Sequence, residues 1–177
     1  MSLYLVEFTP HDASQDEAKA LVADIAQVLG GVDGAELIET QVTGDYKLVF
    51  AIIEAANPGV FAPAVKDAFS ARAGLEGPDE VRLVGAELED IKKLKSSAEY
   101  LVEWDIPAEI TMDQYLTRKK ANSPKYAQVP EVSFLRTYVR EDTAKCLCFY
   151  DAPDEAAVVR AREAVSTPID RLFKLNV

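Results

Sequence analysis

The chain has 177 residues, 49% of them hydrophobic and 28% charged, a composition that suits one large soluble domain or two small ones. A formal net charge of −11 argues against a nucleic-acid partner, because phosphate binders gain affinity from Lys and Arg, and here 30 acids face 19 bases. No apolar run approaches the roughly 20 residues that a membrane-spanning helix needs, so a membrane partner is not expected and the default location is the cytoplasm.

The N-terminal stretch Met1 to Glu7 lacks a basic start and a small-residue cleavage site and reads as a strand, not a signal peptide. After it, Thr9-Pro10-His11-Asp12 is turn-like and holds the only histidine, expected at the surface. Ser14-Gln15-Asp16-Glu17 has the form of a capping box. Leu21, Val22, Ile25, Val28 and Leu29 then follow at helical spacing up to Gly30-Gly31. Two strands, 36–42 and 47–54, flank a turn at Thr43-Gly44-Asp45. A helix near 60–72 and a strand over 81–84 complete the first half.

From Gly85 to Ala98, Leu88, Ile91 and Leu94 share one helical face. Acids come early (Glu87, Glu89, Asp90) and bases late (Lys92, Lys93, Lys95), as the helix dipole favours. This segment is expected to be a short helical linker, residues 86–98.

The order then repeats. Tyr4-Leu5-Val6-Glu7 recurs as Tyr100-Leu101-Val102-Glu103, and the capping form returns in Thr111-Met112-Asp113-Gln114 before a helix that ends ahead of Pro124. Strands over 132–139 and 145–151 flank a turn at Arg140-Glu141-Asp142. A helix near 154–165 and a strand over 171–175 follow. At an offset of 97, Thr40, Val42, Asp45 and Ala55 fall on Thr137, Val139, Asp142 and Ala152. A βαββαβ order occurring twice predicts an α+β fold of two tandem ferredoxin-like units, 1–85 and 99–177. Each such unit has helices on one face of its sheet only. Two of them are expected to join as a pseudo-dimeric α/β barrel, enclosing a pocket between the sheets.

Strand alternation sorts the side chains by face. In the second half the apolar sets Tyr100/Val102/Trp104, Leu135/Thr137/Val139 and Leu147/Phe149 are expected beneath the helices. Glu103, Arg136, Tyr138, Cys146, Cys148 and Tyr150 then face the inter-sheet pocket, with Phe134 on the Arg136 side. An acid, a base, two phenols and two thiols suit a small-ligand site. The first half offers Glu7, Glu39, Gln41, Val49, Ala51 and Ile53 at these positions and reads as the degenerate half, with Glu7 retained as a candidate ligand contact. Each candidate also has a plain structural reading: Glu103–Arg136 as a buried ion pair, the tyrosines as packed aromatics, Cys146 as a core thiol. The thiols are read as reduced, not as a disulfide pair. No histidine lies near Cys148 to activate it; Arg136 is the group that would lower its pKa. The run Arg118-Lys119-Lys120 is read as a solvated helix end. Glycine-rich phosphate loops, nucleophile elbows and Cys-x-x-Cys pairs are absent from the sequence.

The stretches Tyr100–Glu103, Phe134–Val139 and Cys148–Pro153, followed by Pro168-Ile169-Asp170-Arg171, resemble a bacterial domain-of-unknown-function family. Its members include nickel-binding, ferredoxin-like proteins that pair into dimeric α/β barrels. The resemblance covers residues 99 to 176 well, and residues 3 to 84 through Tyr4–Glu7, Ala73-Gly74-Leu75 and the element order. It implies that Tyr138 and Cys148 are the family's recurrent tyrosine and cysteine, and that nickel or another divalent metal is the cofactor to consider. With one histidine a His-rich centre is ruled out by count, leaving His11 or Cys148 with carboxylates as the weak metal candidates. No cofactor is otherwise expected.

The leading expectation is a small-molecule-binding protein, as a monomeric pseudo-dimer or a homo-oligomer. One alternative is a small enzyme, an isomerase or cofactor-free oxygenase, with Glu103 as base, Arg136 as charge stabiliser and Tyr138 as proton donor or orienter; a third reading is metal storage or sensing through Cys148 and nearby carboxylates. Nothing in the sequence decides between enzyme and binder or names the ligand.

Overall fold

A computed structural model describes residues 1–94 and 98–176. The chain divides into two compact units. The first comprises Met1–Val81, Glu89–Leu94 and Asn176; the second comprises Arg82–Leu88 and the described residues onward to Leu175.

In the first unit, β1 (Ser2–Pro10), α1 (Gln15–Gly30), β2 (Ala35–Val42), β3 (Val49–Ala55), α2 (Ala62–Phe69) and β4 (Ala73–Val84) follow in order. The sheet order is β2-β3-β1-β4, with antiparallel pairing throughout. The Ser14 hydroxyl accepts from the Glu17 N–H, so α1 starts where the sequence motif placed it. Leu21, Ile25 and Leu29 of α1 and Val65 and Phe69 of α2 pack on Tyr4, Val6, Phe8, Val49, Ala51 and Ile53.

β4 begins eight residues before the expected Val81, and Gly74, Gly77 and Pro78 lie within it. The register against β1 shifts between Leu5 and Glu7, where Leu5 faces Asp79 and Glu7 faces Glu76. Gly77 has φ +94° and lies so close to β1 that a Cβ would stand 2.5 Å from the Leu5 carbonyl oxygen. The glycine admits the irregularity instead of ending the strand.

A four-residue helix, α3 (Leu88–Ile91), stands where a longer linker helix was expected. Ile91 is buried but Leu94 is 50% exposed, so the expected apolar face is only partly used. Lys92 contacts Glu36, Glu54 and Glu89 at 3.2 to 3.5 Å. Lys95, the last base of the expected helix, lies outside the described residues.

The second unit runs β5 (Tyr100–Asp105), α4 (Met112–Asn122), a 3₁₀ segment (Ser123–Gln128), β6 (Ser133–Arg140), β7 (Lys145–Asp151), α5 (Glu155–Ala164) and β8 (Arg171–Lys174). Its sheet order is β6-β7-β5-β8, again with antiparallel pairing. At α4 the capping box is complete: Thr111 accepts from the Gln114 N–H, and the Gln114 side chain accepts from the Thr111 N–H.

The two units share register as well as order. Tyr4, Val6 and Phe8 face Ile53, Ala51 and Val49; Tyr100, Val102 and Trp104 face Tyr150, Cys148 and Cys146. Even the irregularities correspond. β2 bulges between Leu37 and Glu39, and β6 bulges between Phe134 and Arg136. Each bulge sits 97 positions from the other.

Candidate functional site

Directly opposed residues of neighbouring strands share a sheet face, so pairing decides what the helices cover. Cys146, Cys148 and Tyr150 lie opposite Trp104, Val102 and Tyr100. All six belong to the core beneath α4 and α5, with Tyr115, Ala157, Val158 and Ala161. This corrects the expected placement of Cys146, Cys148 and Tyr150 on the helix-free side, and of Leu147 and Phe149 beneath the helices. The cause is that both alternating sets of β7 are apolar and buried, so hydrophobicity could not fix the strand's parity. Glu103, Arg136 and Tyr138 do occupy the helix-free face of the second sheet. The expected six-residue cluster is therefore split by the sheet itself.

On that helix-free face Glu103, 1% exposed, accepts from the Arg171 Nε at 2.5 Å and has the Lys145 Nζ at 3.9 Å. The Arg136 guanidinium lies 4.9 Å from the Phe149 ring centre, and the Tyr138 ring meets the same Phe149 edge-on at 5.9 Å. Glu7 is buried in the first unit. His11 is exposed, its backbone N–H bonded to the Arg72 carbonyl.

The helix-covered face of the second unit has a partly open cavity of about 20 Å³. That is room for a water molecule or a body of a very few atoms. Its walls bring together Cys146, Cys148, Trp104, Tyr115, Tyr126 and Arg162, with Arg118, Lys119, Asn122 and Ser123 along the partly exposed side.

Tyr115, Arg118, Lys119 and Asn122 are spaced i, i+3, i+4, i+7 on α4, so one helical face supplies them all. Arg118 and Lys119 are thus not the solvated helix end expected. The Arg118 guanidinium lies 5.3 Å from the Trp104 ring centre and donates to the Ser166 carbonyl; the Lys119 ammonium lies 4.3 Å from the Phe134 ring centre. Phe134 is there because the β6 bulge makes Leu135 the extra residue, turning Phe134 to face Tyr150. Plain alternation had placed it with Arg136. Its ring stacks on Tyr126 at 5.4 Å.

Arg162 sits in the buried stripe of α5 with Ala157, Val158 and Ala161. It donates to the Tyr150 hydroxyl at 3.0 Å and to the Pro168 carbonyl at 2.6 Å. The Tyr150 and Tyr126 hydroxyls are 2.6 Å apart. Arg162 is 2% exposed, yet its Nε–H has no acceptor among the described residues. A buried, unanswered N–H costs about 1–3 kcal/mol, and this one belongs to a side chain that lines the cavity.

The two thiols are unequal. Their sulfurs are 4.0 Å apart, and the Thr137 hydroxyl donates to the Cys148 sulfur at 3.1 Å. The Cys146 hydrogen bond, the charges of Lys119 and Arg162, and Thr137 together hold the Cys148 thiol well below its ordinary range, against the opposing effect of burial. Cys146 is pushed up by its bond to Cys148 and by burial. Burial and the neighbouring sulfur raise Tyr150, and push Tyr126 up to about 12. For Arg162 burial acts downward, but Cys148 and Tyr150 outweigh it and the guanidinium stays charged.

Sequence reasoning found both thiols and Tyr150 but missed Tyr115, Lys119, Tyr126, Thr137 and Arg162 as their companions. Two signals were present: the polar-aromatic stripe at helical spacing on α4, and an arginine in the buried stripe of α5.

The residues do not fit a divalent metal. Among the described residues no three His, Cys, Asp or Glu side chains gather into a metal-binding group, and the walls around the two sulfurs carry three cationic side chains. The first unit has a larger cavity, about 410 Å³, walled mainly by Val6, Phe61, Val65, Ala73 and Leu75, with Lys66 and Ser70 exposed at its edge. No helix among the described residues is long and apolar enough to cross a membrane.

Residues 100–175 match a family model described as nickel responsive protein SCO4226-like. No curated protein sequence matches the chain. Among solved structures, TA0507, a proposed chlorite dismutase, aligns over 100% of this chain and 96% of its own, at 16% identity and TM-score 0.58. FN1347 of Fusobacterium nucleatum subsp. nucleatum, a proposed monooxygenase, aligns over 99% of this chain and 91% of its own, at 13% identity and TM-score 0.56. SCO4226 of Streptomyces coelicolor A3(2) aligns over 45% of this chain and 98% of its own, at 19% identity and TM-score 0.39. The two full-length likenesses show the fold: α+β, tandem ferredoxin-like units of the dimeric α/β-barrel class.

Proposed function

We propose that this protein binds a small molecule and that the second unit carries the site, in the cavity beneath α4 and α5. The observation that carries this reading is the cavity itself, whose walls bring Arg162, Lys119, Tyr115 and Tyr126 together with the two sulfurs. Its ligand is a small molecule that carries hydrogen-bond acceptors, as the cationic and phenolic walls favour. Lys119 and Arg118, along the partly exposed side, favour electron-rich entrants.

The match to a nickel-responsive family points elsewhere, but the cationic walls and the two-thiol donor set oppose a bound divalent cation. The enzyme alternative built on Glu103, Arg136 and Tyr138 uses the other face of the sheet, where Glu103 is engaged by Arg171 and Lys145.

Nitrite, a three-atom acceptor, tests the reading. In spectra of protein carrying nitrogen-15 arginine, the Arg162 Nε–H resonance should shift as nitrite is added and should be absent in Arg162→Lys. If no resonance of the second unit moves, the cavity is not a ligand site.

A further inference from the structure

We infer that the first unit carries a second ligand site, the cavity walled by α2, β1 and β4, and that it takes an amphipathic carboxylate, a molecule with an apolar tail and an anionic head. The site is independent of the one proposed in the second unit, because every wall residue belongs to the first.

The cavity lies at an irregularity of the sheet. Leu5 faces Asp79 and Glu7 faces Glu76, so Val6 alone stands opposite Gly77 and Pro78. Two residues against one make a bulge, which bends its strand and breaks the even spacing of side chains. Val6, Gly77 and Pro78 wall the cavity from the sheet, and α2 closes on them with Val65 and Lys66. Gly77 brings no side chain, and Ala62 and Ala73 bring one methyl each, so a space of about 410 Å³ is left between helix and sheet, open on one side. Well-packed interiors have few voids larger than a water. Small-molecule pockets run from roughly 300 to 1,000 Å³.

The walls select the class of ligand. Val6, Phe61, Val65 and Leu75 are apolar, and water held against them forgoes hydrogen bonds, so an apolar tail displaces it with gain. Among the described residues the walls carry one charged side chain, the exposed Lys66, and it is a cation. The acids adjacent in sequence to wall residues, Glu7, Asp67, Glu76 and Asp79, do not line the cavity. Arg72 and Lys92 of the same unit are held by acids, Arg72 by Glu17 and Asp24, Lys92 by Glu36, Glu54 and Glu89. Lys66 has no ion pair among the described residues. A tail in the cavity and a carboxylate at Lys66 match this arrangement of charge.

The full chain, carrying carbon-13 methyl groups on valine and leucine, is titrated with butanoate, hexanoate and octanoate at pH 7. The methyls of Val6, Val65 and Leu75 should shift and saturate, while those of Val102 and Leu147 in the second unit stay still. Affinity should rise about four-fold for each methylene that enters the cavity. Lys66→Glu should weaken octanoate about five-fold and leave octanol unchanged. Ala62→Phe, which puts a ring at a half-buried wall position, should remove the response to all three acids. Should that variant lose its native methyl spectrum, the chain-length series on the wild type decides alone. No saturable shift at these methyls overturns the site. Octyltrimethylammonium bound as tightly as octanoate, or Lys66→Glu without effect on octanoate, overturns the anionic head. Shifts of the same methyls with protein concentration and no ligand assign the cavity to a second copy of this chain and overturn the small-molecule reading.

Discussion

The two units of this chain share an order of elements, a strand register and even the position of a bulge, yet they fill the same core positions with opposite chemistry. Beneath its helices the first sheet presents Val49, Ala51 and Ile53; the second presents Cys146, Cys148 and Tyr150 at the corresponding pairings. The helices above differ in the same sense. α1 and α2 offer Leu21, Ile25, Val65 and Phe69, while α4 and α5 offer Tyr115 and Arg162. A backbone that carries an apolar core and an apolar-walled cavity in one unit houses a charged, sulfur-bearing cavity in the other. The fold thus tolerates either filling, and chemistry follows the side chains that pairing places there.

The contrast can be broken first where packing is tightest. Phe8 is fully buried and meets Phe69 edge-on at 5.5 Å. Phe8→Ala should cost about 3–5 kcal/mol, read from the denaturation midpoint. A loss below 1 kcal/mol would mean that the first unit is not held by this core.

Removing the charge of Arg162 comes next. Arg162→Met strands the Pro168 carbonyl, leaves the Tyr150 hydroxyl with Tyr126 as its partner, and should cost about 2–4 kcal/mol. Equal or greater stability would show that the polar cluster serves packing alone.

Converting the second unit to the pattern of the first is the sharpest test of the comparison. Cys146→Val together with Cys148→Ala reproduces Val49 and Ala51. It should change stability by less than about 2 kcal/mol. Loss of folding would show that the two cores are not interchangeable at these positions.

The pH dependence separates the units further. Cys148 has a folded pKa below its unfolded one, near 8.5. Between those values the unfolded chain holds a proton that the folded chain has released, so stability rises with pH. The contribution is complete above the unfolded pKa and is lost as pH falls through the folded one. From pH 6 to 8 the stability of the wild type relative to Cys148→Ser should therefore increase, with a slope of at most about 1.4 kcal/mol per pH unit. A flat difference would place Cys148 among ordinary thiols.

The smallest effect lies at the helix starts. Thr111→Ala removes a reciprocal box and should cost about 1 kcal/mol. Ser14→Ala removes a single accepted bond and should cost somewhat less. Denaturation midpoints of the two variants rank them directly.

Much of this was legible in the chain. Ser14, Thr111 and Gly30-Gly31 mark helix ends by local hydrogen-bond and backbone chemistry, which needs no distant partner. The recurrence of Tyr-Leu-Val-Glu and the 97-residue offset gave the βαββαβ order and even the correspondence of Val49, Ala51 and Ile53 with Cys146, Cys148 and Tyr150. The shift within β4 at Gly77-Pro78 was not legible, because a glycine that ends a strand and one that admits a bulge look alike until the neighbouring strand is present.

The site divides along the same line. Local patterning determined which residues were chemically able: the thiols, Tyr150, Glu103, Arg136 and Tyr138. Only the tertiary structure decided which of them meet. β7 is apolar on both faces, so its parity was fixed by Tyr100 lying opposite Tyr150 and Val102 opposite Cys148, contacts nearly fifty residues apart in sequence. Arg162 and Lys119 reached the sulfurs through helix packing on that face. Side-chain identity is a property of the sequence, but the neighbours of a side chain depend on long-range pairing, which a period-two pattern cannot specify when both faces are buried.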